Sequence, residues 1–148
     1  MIREMKRIDL AQIVMIEKAS FQDGCYSKEQ LLYEYEENPF AKILVMDIDE
    51  EIVGFLIYME TFNSATVVQI ATRPFNRHRG VATKLINEMI ERLMKKGYGV
   101  IESVTLEVRE NNQIAHQFYL KNGFKDVVVK KKYYENGDNA IYMMRVLL

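Results

Sequence analysis

From Val81 to Met94 the apolar residues recur as Val81, Ala82, Leu85, Ile86, Met89, Ile90, Leu93 and Met94, in adjacent pairs one helical turn apart. The positions between and beyond them, Thr83, Lys84, Asn87, Glu88, Glu91, Arg92, Lys95 and Lys96, are polar. Glu88 precedes Arg92, and Glu91 precedes Lys95, at the spacing and in the order that favour a helix surface. Gly97 follows, where a helix end tolerates a left-handed residue at little cost. The pattern predicts an amphipathic helix from Val81 to Met94. Before it, Val67-Val68-Gln69-Ile70-Ala71-Thr72 reads as a strand whose simple continuation Pro74 forbids.

The rest of the chain divides in the same way. Met1 to Lys6 alternates as a short half-buried strand, and from Asp9, a candidate N-cap, Leu10, Ile13, Val14, Ile16 and Ala19 predict a helix. Phe21 to Tyr26 interrupts it. Ser27-x-x-Gln30 is a capping box that opens a second helix through Tyr35, and Asn38-Pro39 stops that helix. Ala41 to Met46 and Glu51 to Glu60 are β-rich runs joined as a hairpin by Asp47-Ile48-Asp49-Glu50. Phe62-Asn63-Ser64 turns into the strand that ends near Thr72. After the long helix come a strand over Ile101 to Val108 and a helix over Asn112 to Asn122, closed by Gly123. The last two strands are Phe124 to Tyr133 and Asn139 to Leu147, joined by Glu135-Asn136-Gly137-Asp138. The order is β-α-α-β-β-β-α-β-α-β-β. Crossover helices imply parallel neighbours and hairpins antiparallel ones, so the fold class is α/β (α+β) with a mixed sheet.

Composition narrows the possibilities. The chain has 148 residues, 49% of them hydrophobic, enough for one well-filled domain over 1–148. A net charge of −1 argues against a nucleic-acid binder that relies on a bulk basic field. One Cys and two His leave neither a zinc set nor a disulfide framework. The sequence shows no signal peptide and no apolar run of about 18 residues, so a soluble cytoplasmic protein is expected, with no membrane partner. Cys25 reads as a partly buried free thiol and His116 as solvated. Lys130-Lys131-Lys132 reads as protection of an edge strand, with contact to ribosomal RNA as the alternative.

The stretch Arg77-His78-Arg79-Gly80, between the strand and the long helix, carries the first chemistry. The first N–H groups of a helix have no internal partner, and the dipole makes that end positive. Gly80 lets an anion approach the backbone, and basic side chains stand beside it. The combination suits a pyrophosphate. The chain has neither the P-loop pattern nor the dinucleotide-fold pattern. It does match [QR]-x-x-G-x-[GA], as Arg77-x-x-Gly80-x-Ala82, which resembles the acetyl-coenzyme-A loop of the GNAT-type N-acetyltransferases.

A second run, Leu106-Glu107-Val108-Arg109 with Asn112, Ala115, Tyr119, Gly123 and Phe124, resembles one branch of that family: the bacterial ribosomal-protein-alanine N-acetyltransferases. Tyr133-Tyr134 and Asp138-x-Ala140 match the tail. The resemblance implies the GNAT fold, a mixed, largely antiparallel sheet of about seven strands flanked by four helices, matching the element order. It implies acetyl-CoA as cofactor and coenzyme A as product. Backbone N–H groups of Ile70, Ala71 and Thr72 would hold the pantetheine arm. Arg77, His78, Arg79, Gly80, Val81, Ala82 and Thr83 would hold the phosphates, with Asn112 and Tyr119 as further contacts. Glu107 is the candidate general base, directly or through water. Tyr119 is the candidate acid, since a phenol of pKa about 10 stays protonated beside a thiolate.

The implied acceptor is the N-terminal α-amine of a protein, with a ribosomal protein beginning in alanine as the best guess. Tyr26, Tyr133 and Tyr134 are its candidate contacts, and neither metal nor nucleic acid is expected to bind. The last two tyrosines are expected at a strand end, pointing to opposite faces. Relatives have Pro-Trp-Ser where this chain has Cys25-Tyr26-Ser27, and commonly Pro where it has Glu135. Its connection from Gly97 to Ser103 is about three residues longer. These departures bear on the acceptor more than on the reaction. A small-molecule amine acetyltransferase would share every cofactor residue. A non-catalytic acyl-CoA-binding regulator would need neither Glu107 nor Tyr119.

Overall fold

The alternation near the amino terminus forms β1 (Ile2–Glu4), and the chain then makes a 3-10 turn at Arg7–Asp9 into α1 (Leu10–Ser20). The structure, a computed structural model, describes residues 1–22, 24–97 and 99–147. Asp23 and Tyr98, in two of the predicted connections, and Leu148 lie outside the described residues. Next come α2 (Lys28–Glu36), β2 (Ala41–Ile48), β3 (Glu51–Thr61), β4 (Ser64–Thr72) and α3 (Val81–Met94). The chain closes with β5 (Ser103–Arg109), α4 (Gln113–Lys121), β6 (Lys125–Lys130) and β7 (Ala140–Val146). The four helices among the described residues and the seven strands follow the predicted order.

The strands form one mixed sheet in the order β1-β2-β3-β4-β5-β7-β6. Its β1–β2, β2–β3, β5–β7 and β6–β7 pairs are antiparallel. β4 and β5 pair in parallel over Ser64–Thr66 and Ser103–Thr105, and both strands run on beyond that ladder.

The residues group into two compact units. The first comprises Met1–Glu60 and Val67–Leu93. In its core, Ile13 and Ile16 of α1 and Leu31 of α2 pack with Ile43, Val45, Ile52, Phe55 and Ile57 of β2 and β3. The apolar stripe of α3 buries Val81, Leu85, Ile86, Met89, Ile90 and Leu93. Gly54 of β3 makes room for it. A Cβ there would lie 2.7 Å from Val81 Cγ1 and 3.1 Å from the Ala71 carbonyl oxygen. The Ser27–Gln30 capping box forms in both directions, at 3.1 and 2.8 Å. Asp9 does not cap α1 as the sequence predicted. Its carboxylate turns back to the Lys6 N–H at 2.7 Å and to the guanidinium of Arg3 at 2.8 Å, a charged partner that outcompetes the helix end.

The second unit comprises Thr61–Thr66 and Met94–Leu148. β5 lies beside β7, and α4 buries Tyr119 edge-to-face between Phe118 and Phe124, with ring centroids 5.3 and 5.7 Å away. β6 is shorter than the sequence suggested. It ends at Lys130, and Lys132 adopts a left-handed φ of 52° that breaks the extended run. Tyr133 and Tyr134 therefore sit in the loop before β7, not on opposite faces of a strand. Their rings meet edge-to-face at 5.0 Å.

Candidate active site

The basic loop of the first unit is built by one 3-10 turn and two left-handed residues. Arg73 and Pro74 leave β4 through the 3-10 turn Pro74–Asn76. His78 and Gly80 then take left-handed φ values of 65° and 80°, and α3 begins at Val81. Alternating handedness of this kind gathers successive N–H groups into an anion-binding concavity. The Lys84 N–H bonds the Gly80 carbonyl at 3.0 Å, the first rung of the helix. The N–H groups of Val81, Ala82 and Thr83 precede that rung, at the positive end of the dipole.

The loop residues fit a pyrophosphate. Arg77, His78, Arg79 and Gly80 are exposed, and the space where a Cβ of Gly80 would stand is open. Arg77 is exposed, yet its guanidinium is engaged within the first unit. Its Nε donates to the Thr72 carbonyl and its Nη2 to Ser20 Oγ, both at 3.2 Å. It braces the loop against β4 and α1. Arg79 lies with Cζ 5.3 Å from the Phe75 ring centroid. Ile70 and Thr72 are half-buried on β4 and Ala71 is buried. Tyr26 lines a cavity of about 400 Å³ with Glu29, Gln30, Tyr33 and Glu34.

The second unit brings Glu107, Lys130, Tyr133 and Tyr142 together. Glu107 is half-buried on β5, opposite Tyr142 of β7. Lys130 Nζ lies 2.9 Å from Glu107 Oε1, 5.3 Å from the Tyr133 ring centroid and 4.7 Å from that of Tyr142. The hydrogen bond to Glu107 raises the Lys130 pKa, against the opposing effect of burial. Lys130 thus belongs to this cluster, and it does so from the end of β6, which is an edge strand as the reading of the lysine run expected.

Burial drives the Tyr119 pKa well above that of a free phenol, and Tyr134 adds to the effect. Tyr134 is stacked under Arg109, whose Cζ is 3.9 Å from its ring centroid. Arg109 also donates to Asn136 Oδ1 at 3.1 Å and Asp138 Oδ2 at 3.0 Å. The Asp138 carbonyl accepts from the N–H groups of both Tyr133 and Tyr134. Asn112 is exposed and uses Oδ1 to cap α4 at the Ala115 N–H, 3.1 Å away. His116 is not simply solvated, since Nε2 lies 2.8 Å from Asp126 Oδ1. Cys25 is half-buried, and burial and Glu17 push its thiol pKa up, away from nucleophilic use.

Sequence reasoning missed Gly54, Lys130 and the Arg109–Asp138 brace. The tail match at Asp138 was a signal for the last, but periodicity carries none for the other two. Among the described residues no cluster of His, Cys, Asp and Glu could hold a metal ion, and no helix is long and apolar enough to cross a membrane.

Comparison with known proteins agrees with this chemistry. The ribosomal protein bS18-alanine N-acetyltransferase of Haemophilus ducreyi is 32% identical over 149 residues, covering 97% of each chain. The spermidine N(1)-acetyltransferase of Thermoplasma acidophilum is 32% identical over 118 residues, 73% of this chain and 71% of that one. The crystal structure of the ribosomal-protein-S18-alanine N-acetyltransferase from Escherichia coli superposes with a TM-score of 0.86 at 23% identity, covering 99% of this chain and 93% of that one. The model of the acetyltransferase (GNAT) family matches residues 9–124. The chain belongs to that family: it is an acyltransferase, with acetyl-CoA as its acetyl donor.

Proposed function

We propose that residues 1–148 act as one cytoplasmic N-acetyltransferase domain whose acceptor is the N-terminal α-amine of a protein, a ribosomal protein beginning in alanine being the best match. The observation that carries the proposal is the box formed by Glu107, Tyr133 and Tyr142, which already receives an ammonium, that of Lys130. The phosphate loop and β4 would hold acetyl-CoA, which would supply an activated acetyl thioester to the acceptor amine. Glu107 takes the proton from the acceptor ammonium, directly or through water. The neutral nitrogen then forms a bond to the acetyl carbon as the carbon–sulfur bond breaks. Tyr119 gives its phenolic proton to the departing sulfur. Its raised pKa keeps that proton available across the working range. Asn112, the N–H groups of Ile70 to Thr72 and those of Arg77 to Thr83 would hold the cofactor.

An α-amine, with a pKa of about 7.7–8.0 against about 10.4 for lysine, needs only a modest base. Tyr26, Tyr133 and Tyr134 flank the acceptor and give register without reading its side chains. The carboxylates of Glu29 and Glu34 around the Tyr26 cavity favour a cationic chain. Peptides beginning in Ala or Ser should be acetylated far faster than spermidine, aminoglycosides or internal lysines. Liquid chromatography of reactions with α-blocked peptides that retain a free lysine tests this. Continued acetylation of the blocked peptide removes the α-amine assignment, and preferred transfer to spermidine installs the small-molecule reading in its place.

A further inference from the structure

Glu17 lies in α1 with 0% exposure. Its Oε2 accepts from the Tyr26 N–H and from Gln69 Nε2, each at 2.8 Å. Oε1 has no hydrogen-bond partner, and among the described residues no ammonium or guanidinium forms an ion pair with Glu17. A carboxylate buried without a counter-ion opposes folding. Burial raises its pKa, and the two hydrogen bonds only partly offset that. An acid whose folded pKa is raised helps the fold below its unfolded value of about 4.3. That help is lost as pH rises through the folded value. At neutral pH an isosteric amide at this position would serve stability better.

What the carboxylate holds is the connection that carries Tyr26, fixed to β4 one residue before Ile70. The end of the same helix also reaches the phosphate loop, through Ser20 and Arg77. The titratable groups around it are Cys25 and Tyr26, with Lys18 acting on the Cys25 thiol and Glu34 on the Tyr26 phenol.

We propose that Glu17 is a positioning residue for the acceptor, its carboxylate fixing Tyr26 to β4 through the Tyr26 N–H and Gln69. This rests on the reading of Tyr26 as part of the acceptor site. The test compares Glu17→Gln and Gln69→Leu with the wild type, using an Ala-initiated peptide. A lost bond to a charged acceptor corresponds to about a tenfold rise in acceptor KM. Both variants should show that rise, with kcat and acetyl-CoA Kd unchanged. Glu17→Gln should keep or raise Tm at pH 8, whereas a merely structural carboxylate would lower it. The ratio of Glu17→Gln to wild-type KM should fall towards one as pH drops and Glu17 protonates. The acceptor's own titration cancels in that ratio. An unchanged acceptor KM in both variants overturns the proposal, as does a fall in Tm with no change in KM. A wild type that acetylates spermidine and no α-amine instead removes the protein-acceptor reading, and the same KM comparison is then made with spermidine.

Discussion

Tyr119 faces opposite demands from packing and chemistry. Its ring is clamped between Phe118 and Phe124, and its exposure is only 8%. Burial of that kind holds the phenol in its neutral form, which is the form an acid must have before it gives up a proton. Tyr119→Phe keeps the ring and deletes the donor. Turnover of an Ala-initiated peptide should fall by about 10²–10⁴-fold, with acetyl-CoA affinity unchanged by calorimetry. Wild-type turnover in the variant would end the acid assignment. The sequence made Tyr119 legible through the resemblance carried by the run from Leu106 to Phe124. It left the Lys130–Glu107 ion pair illegible, because that contact spans 23 residues and passes through the register of β7. Periodicity says which face a side chain occupies and nothing about which distant charge meets it.

Among the elements, α3 was legible to the residue, since its stripe repeats without interruption and its start follows a glycine. The sequence did not say how closely α3 approaches β3. Gly54 decides that, because an added Cβ would press on Val81 at the first turn of the helix. Gly54→Ala should cost about 1–3 kcal/mol in denaturant unfolding. It should also weaken acetyl-CoA binding, since Val81 follows directly on Gly80 of the loop. An affinity equal to wild type would mean that the loop keeps its shape independently of the helix beneath it. Element boundaries were least legible where a single left-handed residue ends a run. Lys132 does so after β6, and the two rings predicted on opposite faces of a strand meet instead in a loop.

At the scale of the molecule, the order of elements and the mixed character of the sheet were readable from turn signals and apolar runs, but the strand order was not: α4 joins β5 to β6 as a crossover would, yet β7 lies between them, antiparallel to both. The division of the residues into two units was not readable, since no linker or change in composition marks it. One feature of the first unit sets a timescale for the whole. Ile52 to Tyr58 of β3 are buried without a break, on both faces of an interior strand, although the acidic turn Asp49-Glu50 beside them is exposed. Water reaches such amides only when the surrounding structure opens. The amides of Val53 to Ile57 should therefore be the last to exchange with deuterium, at the rate of global unfolding, while those of the edge strand β6 exchange early through local fraying.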